Sequence, residues 1–287
     1  MQRCRGSFCR ASRVKGVRSS AESFNVYDLL KRAITAETPL AVANVVANNS
    51  GIRLALGTKV LVFLDGRTEG SFGVKELDEP VRRDAVALLA REKSRTIAYK
   101  TGPEEIVEVY IESILPPPPL VIIGADPDAV PVVKFGKQLG FKVVLVDHRA
   151  GFANSARYPE ADQIIVCQME ELASSLKINS QTFVLVKTHN YMRDKDILKF
   201  VLKSPARYVG QLGPKARMDD LLTDLSKEGV GLSSAEEAKL YAPTGLDIGA
   251  ESPEQIALSV LAEMLAVKNG RLGSFLREQS AAIHPRD

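Results

Sequence analysis

The stretch from Pro116 to Asp147, PPPPLVIIGADPDAVPVVKFGKQLGFKVVLVD, decides the fold. Its four leading prolines supply no amide donors and hold a stiff extended geometry that no helix or central strand accepts. Residues 116–119 therefore read as a linker between two domains. After them comes a short continuous apolar run, Leu120–Ile123, then a polar turn at Gly124-Ala125-Asp126, a helical stretch, and a second apolar run at Lys142–Val146. The pattern repeats downstream, where Gln163–Cys167, Phe183–Val186 and Arg207–Val209 read as further strands with helical stretches between most of them. Short Val/Ile/Leu strands separated by amphipathic helices mark a parallel sheet covered on both faces, so residues 120–270 are expected to form a Rossmann-like, doubly wound α/β domain. In such folds ligands sit outside the carboxyl ends of the strands. The residues following each apolar run are the site candidates: Gly124-Ala125-Asp126, Asp147-His148-Arg149, Thr188-His189-Asn190 and Gly210-Gln211-Leu212-Gly213.

Ahead of the prolines the pattern changes. Phe24–Ala36 reads as a helix with Val26, Leu29, Leu30 and Ile34 on one face. Leu40–Val46, Lys59–Leu64 and Ile106–Ile114 read as strands, Asp65-Gly66 as a turn, and a helix is expected from Pro80 to Arg91. Residues 23–115 thus form a smaller α+β domain with a mostly antiparallel sheet. Residues 271–287 read as a C-terminal tail.

Bulk composition bounds the function. With 287 residues, 45% of them hydrophobic and 25% charged, the chain is long enough for two soluble domains. The formal charge of +3 misleads, because residues 1–20 hold Arg3, Arg5, Arg10, Arg13, Lys15 and Arg18 and no acid, leaving 32 basic against 35 acidic residues elsewhere. A mildly acidic body without Trp offers neither a basic stripe nor a stacking platform, which argues against nucleic acid as a partner. The basic tail, residues 1–22, is expected to be disordered or to follow from a misassigned start; its Arg- and Ser-rich composition also matches a transit peptide, the less favoured reading. Cys4 and Cys9 lie in that tail and only Cys167 in the body, so no disulfide framework forms, which favours a reducing compartment. No apolar run reaches the roughly 18–20 residues of a membrane span. The expectation is a cytoplasmic protein with no membrane association.

Among the candidate groups, Thr244-Gly245-Leu246-Asp247-Ile248-Gly249-Ala250 stands out, since two glycines bracket a lone carboxylate just before a helix start. Ser252 and Gln255 form a capping-box pattern with Pro253 at the first helical position. Asp247 is either a ligand-binding acid or a turn residue with no chemistry. The first α/β turn has the frame of a dinucleotide site, with Asp147 about 20 residues on where a ribose-binding acid would lie. Asp126 replaces its central glycine, however, and Asp126 as N-cap ahead of Pro127 would occupy the amides an anion uses. NAD(P) is therefore disfavoured, and Asp147 reads as structural or bound to another ligand. His148, His189 and His284 have no partner at metal-motif spacing, so no metal site is expected. His189 is a candidate for ligand contact or proton transfer, and equally for a satisfied strand-end histidine. Asp194 is expected to cap a helix starting near Lys195, or else to brace the preceding loop, and Cys167 to be a small buried hydrophobe.

Taken in order, Gly124-Ala125, Asp147-His148-Arg149, Thr188-His189, Tyr208-Val209-Gly210 and Gly245-Leu246-Asp247-Ile248-Gly249-Ala250 resemble the xanthine dehydrogenase accessory (XdhC/CoxI) family, from about residue 37 to 268. The densest match is Ala242–Ala250 with Ser252–Ala257. The resemblance implies a non-catalytic carrier that binds molybdenum cofactor (molybdopterin) transiently. It would assist the cofactor's sulfuration and insertion into a molybdenum hydroxylase of xanthine or carbon monoxide dehydrogenase type. A cysteine desulfurase is a second candidate partner, and a homodimer is compatible. On that reading the cofactor-binding candidates are Gly210, Gly213, Lys215, Arg217, Gly245, Asp247, Gly249, His189, Asp147 and Gly124. Gly210 and Gly213 leading into Lys215 and Arg217 at a helix N-terminus would suit the cofactor's phosphate, unless these cations are a solvated helix face. Three departures mark a divergent member: Val74-Lys75-Glu76 where Gly-Gly-Cys is common, Asp126-Pro127 where the first turn usually reads Gly-His, and Asn190 where Asp is common. Two rival readings remain, an NAD(P)-dependent oxidoreductase and a paralogue that has lost cofactor binding.

Overall fold

A computed structural model describes residues 26–278. The basic tail with Cys4 and Cys9, the expected helix start at Phe24, and His284 lie outside the described residues. The chain divides into two compact units between Pro116 and Pro117.

The first unit is a five-stranded antiparallel sheet ordered β3-β2-β1-β5-β4, with β1 Leu40–Asn49, β2 Lys59–Phe63, β3 Thr68–Glu69, β4 Arg95–Lys100 and β5 Ile106–Ile114. Helix α1, Val26–Thr35, covers one face and α2, Lys75–Ala90, the other. Alternation along β1 explains this: Leu40 and Val42 pack with Val26, Leu29 and Leu30, whereas Ala41, Ala43 and Val45 pack with Leu77, Val81 and Ala85. Ala33 completes the α1 face; Ile34, expected there, is turned out and 54% exposed. A helix advances 100° per residue, so the row through 26, 29 and 30 continues to 33. Helix α2 starts five residues before the expected Pro80, which sits inside it. Strands β3 and β4 are absent from the sequence reading, because β3 has two residues and β4 is an edge strand with a single buried side chain, Tyr99.

The second unit is a six-stranded, all-parallel sheet ordered β11-β10-β9-β6-β7-β8. Its strands are β6 Pro119–Ile123, β7 Lys142–Asp147, β8 Gln163–Val166, β9 Phe183–Val186, β10 Tyr208–Gln211 and β11 Leu240–Tyr241. The helices are α3 Val130–Gln138, the short α4 Leu172–Ser175, α5 Tyr191–Lys203, α6 Lys215–Lys227, α7 Ser234–Ala238 and α8 Pro253–Lys268. The order reverses between β6 and β9, the topological switch point of a Rossmann sheet. Successive residues feed opposite faces: Leu120, Ile122, Phe183 and Leu185 meet Val132, Val133, Val260 and Met264, while Val121, Ile123, Val184 and Val186 meet Ile197, Val201, Leu221 and Leu225. Each fully buried aliphatic contributes about 1.5–3 kcal/mol, and both faces are needed to bury these runs. Phe141, Phe183, Tyr208 and Tyr241 form a ring-on-ring row with centroids 4.5–5.8 Å apart across the first face.

Pro119 belongs to central strand β6 rather than to a linker, and pairs with Lys142. A first-residue proline is tolerated because it breaks no interior rung, and Lys142 N–H donates to Pro118 O instead. Helix α8 starts as its capping box dictates, with Gln255 N–H donating to Ser252 Oγ and Gln255 Oε1 accepting from Ser252 N–H. Among the described residues no helix is long and apolar enough to cross a membrane.

Helix α3 approaches β6 closely because Gly136 has no side chain; a Cβ there would lie 2.8 Å from Leu120 Cδ2. Gly136→Val is expected to destabilise the protein by about 1–3 kcal/mol through overpacking. Urea unfolding should show a lower midpoint with unchanged slope.

Candidate functional site

The carboxyl ends of β6, β7, β8 and β9 enclose a cavity of about 430 Å³ on the sheet face that carries α5. Gly124, Asp147, His148, Arg149, Thr188 and His189 line it from the strand ends, and Cys167 and Arg193 from the sides. Its rim is built on a buried carboxylate. Asp147 accepts Ala125 N–H at 2.8 Å, Arg149 N–H and Nε at 2.9 Å, and Arg149 Nη2 at 2.8 Å. Burial pushes this carboxyl up, but the Arg149 and backbone bonds outweigh it and hold the pKa at about 2. Arg149 also reaches Asp126 Oδ1 at 3.1 Å, so the ends of β6 and β7 are bolted together.

The Asp126 side chain makes no cap hydrogen bond, contrary to expectation. Arg149 has taken it, while Asp126 O accepts from Ala129 N–H and Tyr158 Oη. The first amide of the turn, Ala125 N–H, is committed to Asp147. A pyrophosphate would therefore meet a spent donor and the carboxylate of Asp126. Gly124 is required for another reason: its φ is +120°, and a Cβ would collide with the carbonyl of Lys187 on the neighbouring strand.

Two further carboxylates organise the switch point. Lys187, 1% exposed, is buried at the end of β9 with its Nζ 2.6 Å from Asp128 Oδ1; Asp128 Oδ2 lies 3.1 Å from His189 Nε2. Burial raises the Asp128 pKa, and the Lys187 hydrogen bond and charge override this and lower it. His189 itself has φ +55°, a left-handed conformation costing about 1–2 kcal/mol in a side-chain-bearing residue. Asp194, 1% exposed, accepts Thr188 N–H and Oγ1, Gln211 Nε2 at 3.0 Å and Arg217 Nη2 at 2.7 Å. Helix α5 begins at Tyr191 rather than near Lys195, and its cap is Asn190, whose side chain accepts Arg193 N–H. Asp194 therefore lies inside the helix and braces the loop.

Arg193 differs from these cations. Its Nη1 lies 2.9 Å from His148 Nδ1, and among the described residues it pairs with no carboxylate. His148 is held between Arg193 and Asp147, 3.0 Å away. Cys167, half-buried, packs against the core of that sheet face and also borders the cavity, and burial raises its thiol pKa.

Of the residues expected to bind cofactor, Gly124, Asp147 and His189 line this cavity; the rest occupy the β10–β11 end of the rim. Gly210 lies within β10, where a Cβ would press on Thr244 Oγ1 and the Tyr208 ring. Arg217 is spent on Asp194, whereas Gly213, with φ +139°, precedes the exposed Lys215 at the start of α6. The two rim segments run side by side, Thr244 N–H donating to Gln211 O. Glu263 of α8 anchors the second of them by accepting Gly245 N–H at 3.0 Å and the buried Tyr208 hydroxyl. Gly245, with φ +112°, packs against Ser259, while Asp247 and Gly249 are exposed. Asp247 does not line the switch-point cavity.

Sequence reading missed Arg193, Lys187 and Asp128. Lys187 had a signal, a charge directly after a fully apolar strand and before Thr188-His189. Arg193 had none, being one cation in a polar helix start. Among the described residues no three His, Cys, Asp or Glu side chains gather to hold a metal ion.

Comparison with known proteins agrees with this architecture. The XdhC Rossmann domain model matches residues 120–264, and the XdhC and CoxI family model matches residues 33–100. One relative, from Bacillus subtilis (strain 168) and named as a probable subunit of xanthine dehydrogenase, is 33% identical over 165 residues, 58% of this chain and 47% of its own. The uncharacterized protein YqeB of Escherichia coli (strain K12) is 29% identical over 260 residues, 86% of this chain and 46% of its own. The chain spans about half the length of these curated relatives. A crystal structure of a xanthine dehydrogenase from Bacillus halodurans superposes with TM-score 0.50 at 22% identity over 88% of this chain and 97% of that one, a likeness of fold.

Because the folded pKa of Asp147 is depressed, its stabilisation is full above the unfolded carboxylate value and is lost as pH falls towards the folded one. Stability is expected to drop by about 2 kcal/mol between roughly pH 5 and pH 2 on this account. Asp147→Asn should be less stable at neutral pH and lose that part of the acid dependence, read from urea midpoints across the range.

Proposed function

Because the chain belongs to the XdhC and CoxI family, we propose that it is an accessory factor that binds molybdenum cofactor and hands it to a molybdenum hydroxylase, with a cysteine desulfurase as a further partner for sulfuration. The supporting observation is Arg193, which among the described residues pairs with no carboxylate, beside His148 in a cavity of about 430 Å³ at the sheet's switch point. That size lies in the range of small-molecule sites. The donor set fits the group. Molybdopterin carries one phosphate, which Arg193 would bind at the N-terminus of α5. Gln168, Glu170 and Asn190, polar residues of the same wall, would meet its heterocycle. When bound, the cofactor supplies metal-centred redox and sulfur-ligand chemistry for its eventual client; the chain holds it and orients it. The phosphate site thus moves from the Lys215–Arg217 turn to Arg193, since Arg217 is neutralised by Asp194.

A dinucleotide fits less well. The strand order is that of a dinucleotide-binding sheet, but Ala125 N–H is donated to Asp147, and Asp126 stands where a pyrophosphate would approach. The departure at Asn190 is neutral for binding, because asparagine performs the capping an aspartate would. The departure at Val74-Lys75-Glu76 leaves a helix start with no thiol; the free thiol among the described residues is Cys167, which lines the switch-point cavity.

Full-length protein purified from cells that make molybdenum cofactor is expected to release molybdopterin detectable by mass spectrometry. Arg193→Ala should lower that occupancy about tenfold or more, the effect of one lost charge-assisted hydrogen bond. NAD and NADP should give no heat in calorimetric titration. Wild-type protein free of pterin, or a clear dinucleotide heat, would overturn this reading.

A further inference from the structure

Three side chains at the switch point form a line that merely holding a ligand does not require. Lys187 is buried, and among the described residues its ammonium has one partner, Asp128. A buried ammonium without a counter-charge is strongly unfavourable, so Lys187 keeps Asp128 ionised. An ionised carboxylate only accepts hydrogen bonds. Where neutral His189 meets Asp128 Oδ2 at 3.1 Å through Nε2, the ring proton must therefore sit on Nε2, which leaves the lone pair on Nδ1.

The surroundings give that lone pair a direction. His189 lines the 430 Å³ cavity, whereas Lys187 and Asp128 line a separate hollow of about 150 Å³ on the opposite face of the sheet, among Val132, Leu185 and Val260. The carboxylate thus approaches the imidazole from behind. Nδ1 has no partner among the described residues, and the side chain is 55% exposed. A histidine ring fixed by a half-buried carboxylate on one nitrogen and open on the other is the arrangement of a general base. The other ionisable groups lining the cavity are Asp147, His148, Arg149, Cys167, Glu170 and Arg193. Arg149 neutralises Asp147, so Asp128 is the carboxylate hydrogen-bonded to this ring.

We propose, resting on the reading above that an anionic ligand occupies this cavity, that Asp128 and His189 form a general-base pair acting on an N–H or S–H group of that ligand. The N–H or S–H bond breaks heterolytically, the electron pair stays on the ligand atom, and a new N–H bond forms at His189 Nδ1. The imidazolium is stabilised by Asp128 and returns its proton to solvent through the exposed ring, with nothing oxidised or reduced. Asp128 and Lys187 are positioning residues: one sets the tautomer, the other keeps the first charged.

Long-range proton–nitrogen NMR on the full chain labelled at its three histidines, with His189→Gln for assignment, tests this. Neutral His189 is expected as the single Nε2–H tautomer in the wild type, as a mixture in Asp128→Asn, and as the single tautomer again in Asp128→Glu. Modification of His189 by diethyl pyrocarbonate, which reports lone-pair reactivity, should slow about tenfold in Asp128→Asn, as loss of a charge-assisted hydrogen bond implies. Since Asp128→Asn strips Lys187 of its counter-charge, the double variant Asp128→Asn with Lys187→Met is expected to fold and show the same loss. An Nδ1–H tautomer in the wild type, or reactivity indifferent to both variants, would overturn the proposal. Absence of pterin with His189 behaving as expected removes the carrier reading alone. Pterin present with the wrong tautomer removes the general base alone.

Discussion

The rim of the parallel sheet depends on the carboxylate of Asp147. Strand ends are where a parallel ladder runs out of partners, and any amide buried there must find an acceptor. Asp147 supplies it for Ala125 and Arg149, drawing the first two strand ends together and turning Arg149 onto Asp126. The first α/β turn is thereby committed to internal bonding. The amide and the space that a pyrophosphate would use in this fold have become structure.

The same device recurs along the switch point. Asp128 with Lys187, and Asp194 with Arg217, are also carboxylates paired with a cation from a neighbouring element. Removing one partner from such a buried pair is far more damaging than the pair itself is stabilising. These residues therefore specify how the loops sit more than how stable they are. Against this neutralised background Arg193 pairs with no carboxylate among the described residues, and the proposed ligand is therefore one with a single anionic group. A monophosphate suits that field better than the linked phosphates of a dinucleotide.

The sequence departures take on different meanings once placed. Asn190 keeps the role of an aspartate because an N-cap needs only a side-chain oxygen. Asp126 is a change of use, from open turn to the partner of Arg149. Glu76 lies in the first turn of α2, where an acid suits the helix dipole; no sulfur chemistry follows from it. The chain retains the family's architecture with a differently wired first turn.

Legibility followed the range of the forces involved. Apolar runs alternating with helical stretches were enough to determine the doubly wound sheet, and Ser252 with Gln255 the start of α8, because periodicity and capping are local. Strand-end reading pointed to Gly124, Asp147 and His189, which line the switch-point cavity. It did not show that Asn190 rather than Asp194 caps α5 or that Arg217 pairs with Asp194, and it missed Lys187 and Arg193. Whether a charge is spent or free depends on the residue opposite, which comes from another crossover: Asp194 meets Arg217 across 23 positions and Lys187 meets Asp128 across 59. Composition and spacing carry no trace of such pairings. The sequence by itself determined the doubly wound plan of the second unit and which of its strand ends carry polar groups; only the tertiary structure decided which of those groups neutralise one another, because that is settled by distances between segments remote in the chain.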